Sequence, residues 1–224
     1  MTYHLNVFKY FTAPNDHLFR IDRAETIKNI KRTTALLIFA SILIYGWMAY
    51  LGIGSTLILD GDLLFTAATY ESSKFWFIIG RAAFGGIYAA IMIFVPAFIF
   101  RLISNIDFSK LVVMQLIVFL FILVERLTWI PLAVFADLDW FVSPLSLGVL
   151  ASYVTTKSWV IYFFGSITIF QVLIMMLQIK FICYFLDVKK GLIGFSVFLL
   201  HFVEWWLITL VSFVSVFIID RWFL

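Results

Sequence analysis

The chain has 224 residues, of which 64 % are hydrophobic, 20 % aromatic and 13 % charged, with a formal net charge of +3. That composition excludes an ordinary soluble domain, whose core would need far more polar surface to cover it. It also excludes a β-barrel, because barrel strands read as short alternating segments rather than bilayer-length apolar runs.

The remaining broad classes narrow quickly. There is no basic run with interleaved aromatics, no zinc-ligand spacing and no glycine-rich phosphate loop, so nucleic acid is not an expected partner. A single cysteine, Cys183, excludes an intrachain disulfide. The expected fold class is all-α, a polytopic membrane protein. It consists of five transmembrane helices (33–224) behind an amino-terminal amphipathic cytoplasmic segment (1–32).

Residues 1–32 are too polar for a cleaved signal peptide, so the first span is expected to be both targeting signal and anchor. Leu5, Phe8 and Phe11 recur at three-residue steps until Pro14 breaks the run. Asn15 or Asp16 is placed to cap a second helix carrying Leu18, Ile21 and Glu25. An interfacial amphipathic helix is the preferred reading, with Arg20, Arg23, Lys28, Lys31 and Arg32 meeting anionic headgroups. The competing reading packs this helix against the cytoplasmic ends of the spans.

The first span is expected over 34–54 and carries no charge; Tyr45, Trp47 and Tyr50 lie towards its far side. A loop with Asp60, Asp62 and Glu71 precedes the second span, 75–100, which contains Arg81. Ala82, Gly86 and Ala90, with Gly85 beside them, form a small-residue face suited to close helix contact. Pro96 is expected to bend this span. The third span, 110–135, places Glu125 and Arg126 side by side in its second half, with Pro131 beyond them.

Between Asp137 and Lys157, WFVSPLSLGVLASYV is apolar but too short to cross. It is expected to lie on the surface or re-enter shallowly. The fourth span is expected as one helix over 159–186, with Gln171, Gln178 and Lys180. The fifth, 192–219, carries His201 and Glu204 near its middle.

Charge sets the orientation. Ten Lys or Arg fall in 1–32, 101–110 and 187–190, against three (Lys74, Lys157, Arg221) in 55–74, 137–158 and 219–224. By the positive-inside rule the amino terminus is cytoplasmic, and five spans leave the carboxyl terminus outside.

Charged side chains inside a bilayer cost roughly 2.5–3.5 kcal/mol each on insertion scales unless they are partnered. Arg81, Glu125, Arg126, His201 and Glu204 form the candidate intramembrane polar cluster. Two arginines and two glutamates are a neutral set, and the expected pairings are Arg81 with Glu125 and Arg126 with Glu204. Three roles compete: ion pairs that fix helix packing, a polar passage or pocket for a substrate, ion or lipid headgroup, and a metal or catalytic site. The last would need His201, Glu204 and Glu125 together as ligands. No catalytic set, cofactor motif or inverted repeat supports an autonomous enzyme or a conventional transporter.

The head pattern NVFKYFTAPNDHLFRI, followed by closely spaced spans and an outside carboxyl terminus, resembles the Yip1-domain family. The D-L-Y-G-P-type motif of eukaryotic members is absent. The resemblance implies a small bacterial cytoplasmic-membrane protein that works beside another membrane protein or a transporter, or as a homo-oligomer, in contact with membrane lipids. It assigns no catalytic residue.

Overall fold

In the computed structural model, residues 2–7, 9–54, 67–186 and 188–222 are described, without the side chains of 11, 67–69 and 215–222. Asp60 and Asp62 lie outside the described residues. The described residues are 81 % helical. Its order is β1 (Thr2–His4), α1 (Lys9–Thr12), α2 (Pro14–Arg23), β2 (Thr26–Lys28), α3 (Ile30–Tyr50), α4 (Ala67–Ile103) and α5 (Phe108–Ala136). A 3-10 turn (Trp140–Val142), α6 (Gly148–Val154), α7 (Ser158–Gly165), α8 (Ile169–Phe185) and α9 (Lys190–Trp222) complete it.

Among the described residues four helices are long and apolar enough to cross a membrane: Ile30–Tyr50, Tyr70–Ile103, Phe108–Ala136 and Lys190–Val214. Helix α5 is the axis of the bundle and touches α3, α4 and α8. Every residue from Leu111 to Phe119 is buried, which is the mark of a helix apolar on all sides and surrounded by protein.

The small-residue face of α4 does what its spacing predicts. The Ser41 hydroxyl donates to the Gly85 carbonyl across 2.8 Å. A Cβ on Gly85 would come within 2.9 Å of the Ser41 carbonyl oxygen, and one on Gly86 within 3.3 Å of Ile42. Only glycine allows α3 and α4 to approach this closely.

The head differs from its expected form. Leu5 follows a short strand rather than lying on a helix, and β1 pairs in parallel with β2 in the register Thr2↔Thr26, Tyr3↔Ile27, His4↔Lys28. Pro14 opens α2 instead of breaking a helix, since its missing N–H belongs where no intrahelical bond is made. Asn15 and Asp16 are not caps; Asp16 pairs with Lys9 at 3.0 Å and Arg20 at 2.9 Å.

The apolar face of the head is turned to the bundle. Leu5, Val7, Tyr10, Leu18 and Ile21 share one core with Leu111, Val112, Phe181 and Ile182. Lys110 clamps the joint: its ammonium donates to the Asp22 carbonyl at 3.2 Å and lies 5.0 Å from the Phe185 ring centroid. The helix of the head is thus packed against one end of the bundle rather than standing clear of it.

The fourth expected span is not one helix. It breaks after Gly165 and resumes at Ile169, where the Thr168 hydroxyl accepts from the Gln171 N–H. The segment before it folds back onto the break. Leu147 N–H donates to the Ile167 carbonyl and Ile169 N–H to the Leu145 carbonyl, both at 3.0 Å. An antiparallel bridge, Ser146↔Thr168, thus satisfies backbone groups that an interrupted helix would otherwise strand in an apolar setting.

Candidate functional site

The polar residues of the long helices fall into two groups. The first lies in the half of the bundle away from the head. There Arg81 on α4 places its guanidinium carbon 5.8 Å from the ring centroids of both Tyr45 and Phe84. Arg126 on α5 has its guanidinium carbon 5.9 Å from the Trp129 ring. Its electrostatic surroundings are Tyr45, Tyr88 and Glu125, with a guanidinium N–H donating to the Tyr88 oxygen.

Tyr45 therefore stands between two arginines. Both residues are half-buried, and in each the Nε is sealed from solvent without a hydrogen-bond partner. Among the described residues, no ion pair joins Arg81 to Glu125 or Arg126 to Glu204. That corrects the expected pairings, and aromatic faces take the place of carboxylates. A cation over such a face gains about 0.5–1 kcal/mol when exposed and about 2 when desolvated.

The second group explains where Glu204 goes instead. On α9, His201 and Glu204 are one turn apart, with His201 Nδ1 3.2 Å from Glu204 Oε2. His201 Nε2–H donates to Gln178 Oε1 on α8 across 2.9 Å. The contact sets Glu204 beside a histidine of its own helix rather than beside Arg126. His201 is buried, while the Glu204 side chain is 21 % exposed at the helix edge.

The metal reading loses its third ligand. Among the described residues no group of three His, Cys, Asp or Glu comes together, so Glu125 does not join His201 and Glu204. Sequence reasoning found the five charged or imidazole side chains but passed over Tyr45, Tyr88 and Gln178 as partners. Gln178 had a usable signal: a carboxamide inside an apolar helix needs a hydrogen-bond partner on another helix.

The head forms a third polar region. Arg20, Arg23, Lys28, Lys31 and Arg32 are all exposed. Arg20 is held by Asp16, and Arg23 lies 5.4 Å from the ring centroid of Phe19, itself half exposed. Asp16 is held below the usual carboxylate range, first by its hydrogen bond with Arg20 and then by that with Lys9.

Beneath this surface, His17 is wholly buried between the edges of Tyr3 and Tyr10, at centroid distances of 5.6 and 5.8 Å. The backbone of Asn6 is the polar group that faces the ring. Burial pushes the imidazole below its ordinary value and raises the Tyr10 hydroxyl.

Comparison with family models, with curated sequences and with solved structures found no match of any of the three kinds.

Proposed function

We propose that this chain is a non-enzymatic accessory protein of the bacterial cytoplasmic membrane, with Yip1-like architecture, that associates with another membrane protein through its last helix. One observation carries the reading. Glu204 sits near the middle of α9, partly exposed, with His201 beside it on the same helix. Only 22 % of the apolar window of that helix is buried, against 61 % for α5. A carboxylate at the edge of a lipid-facing helix is expensive unless a neighbouring protein covers it.

The topology proposed with this role has five crossings. The composite of α7 and α8 supplies the fourth, the head is cytoplasmic and the carboxyl terminus is outside. The distribution of Lys and Arg supports it. Gentle extraction should yield a stoichiometric complex with a second membrane protein, or a homo-oligomer. Repeated recovery of a lone monomer would overturn the accessory role.

A second reading is favoured by a different observation. Arg81 and Arg126 flank Tyr45 without carboxylate partners among the described residues. On that reading the interior of the bundle handles a lipid headgroup.

A further inference from the structure

Two guanidinium groups beside one tyrosine ring are an unusual thing to enclose in a membrane bundle. Like charges repel as the inverse of distance and dielectric, so the repulsion grows as water is excluded. Glu125 offsets part of it from the same helix as Arg126, but among the described residues no carboxylate forms an ion pair with either guanidinium, and Glu204 lies against His201.

The geometry does suit an anion. Guanidinium groups match phosphate oxygens with paired, charge-assisted hydrogen bonds. Arg81 and Arg126 both keep accessible surface although each Nε is sealed. Tyr45 and Tyr88 bring hydroxyl groups to the same place, while Phe84 and Trp129 supply apolar walls.

We propose that Arg81 and Arg126, framed by Tyr45 and Tyr88, bind a phosphate-type oxyanion, supplied by the headgroup of a membrane phospholipid. The proposal rests on the lipid-handling reading and names its ligand. In the membrane the phosphodiester is the anion always at hand, and its acyl chains would lie along the apolar flanks of α3 and α4, where Phe39, Leu43, Ile87 and Ile91 are exposed. No covalent step is involved.

The test uses the full chain, purified in detergent and stripped of lipid, with thermal unfolding as the readout. A short-chain phosphatidylglycerol, short-chain diacylglycerol without phosphate, and inorganic phosphate are titrated separately. Ligand that binds only the folded state raises the unfolding temperature saturably. Phosphatidylglycerol should raise it by several degrees, whereas diacylglycerol should not.

If inorganic phosphate alone gives the same shift, the site stands with free phosphate as its ligand. Arg126→Gln should abolish the shift. Should that variant fail to fold, Arg81→Lys and Tyr88→Phe keep charge and shape. Each should raise the half-saturating concentration roughly tenfold, the size of one lost hydrogen bond to a charged group. No shift with any phosphate compound, or a shift undiminished in all three variants, would overturn the site. Either result leaves the co-purification test untouched, so the two readings fail separately.

Discussion

Single side chains settle which groups of this molecule speak to one another. Arg126 and Glu204 are not paired, so their effects should largely add. In a double-mutant cycle, Arg126→Ala with Glu204→Gln is expected to show a coupling energy well below the roughly 3–5 kcal/mol of a broken buried pair, limited to what Tyr88 transmits between them. By contrast, His201 holds Gln178 and Glu204 together, and removing it strands both. His201→Phe should cost about 3–5 kcal/mol by the measure of buried pairs in soluble cores, and less where lipid-embedded groups find substitutes.

His17 provides a pH dependence of definite sign. Its folded value lies below the ordinary imidazole value of 6.5, so below that pH the unfolded chain binds more protons than the folded one. Stability from keeping His17 neutral is therefore complete above pH 6.5 and is lost as the pH falls further. Unfolding temperatures measured between pH 7.5 and 5.5 should decline in the wild type. His17→Phe should flatten that decline, since it removes the buried titrating ring and keeps an aromatic one between Tyr3 and Tyr10.

The elements show how far a sequence carries. Periodicity and length place the long helices, and small-residue spacing marks the face of α4 for close contact, though only the structure shows that Gly85 and Gly86 meet α3 there. The broken helix is a harder case. Its apolar run is continuous, and hydropathy does not register an interruption that is healed by a hydrogen bond from the Leu147 N–H and one accepted by the Leu145 carbonyl. Yet Gly165 followed by Thr168 and Gln171 is a stop and a capping pattern.

Polar partners were half legible. Charge marks Arg81, Arg126 and Glu204, but which helix each one meets depends on rotations about helix axes that no local pattern encodes. Aromatic residues, so common here, hid Tyr45 and Tyr88 as partners for cations. In the head, strands of three residues are too short to announce themselves.

The joint between the folded-back segment and the break rests on two glycines. A Cβ on Gly148 would run into the Phe141 carbonyl oxygen, and one on Gly165 would sit 2.8 Å from the Phe141 Cα. Gly165→Ala should cost about 1–3 kcal/mol in thermal or denaturant unfolding, as overpacking does. Gly191→Ala is the control, with nothing within 4 Å of the added methyl, and should be neutral or slightly stabilising.

The whole molecule is a bundle built around α5, sealed at one end by the head and edged on one side by α9. Orientation follows from the proposed topology. With Cys183 replaced by Ser, a cysteine at Trp140 should react with an impermeant thiol reagent added to intact cells, and one at Lys189 should not. The reverse pattern would turn the molecule over and put the basic head outside.

The role of α9 can be tested in the membrane itself. A photoreactive residue at Leu207, exposed and one turn from Glu204, is compared with one at Ile91, exposed on α4. The proposed role predicts a discrete protein adduct from Leu207 in native membranes, absent from Ile91 and weakened by Glu204→Gln. Identical adduct patterns from the two positions, or an adduct indifferent to Glu204→Gln, would contradict it.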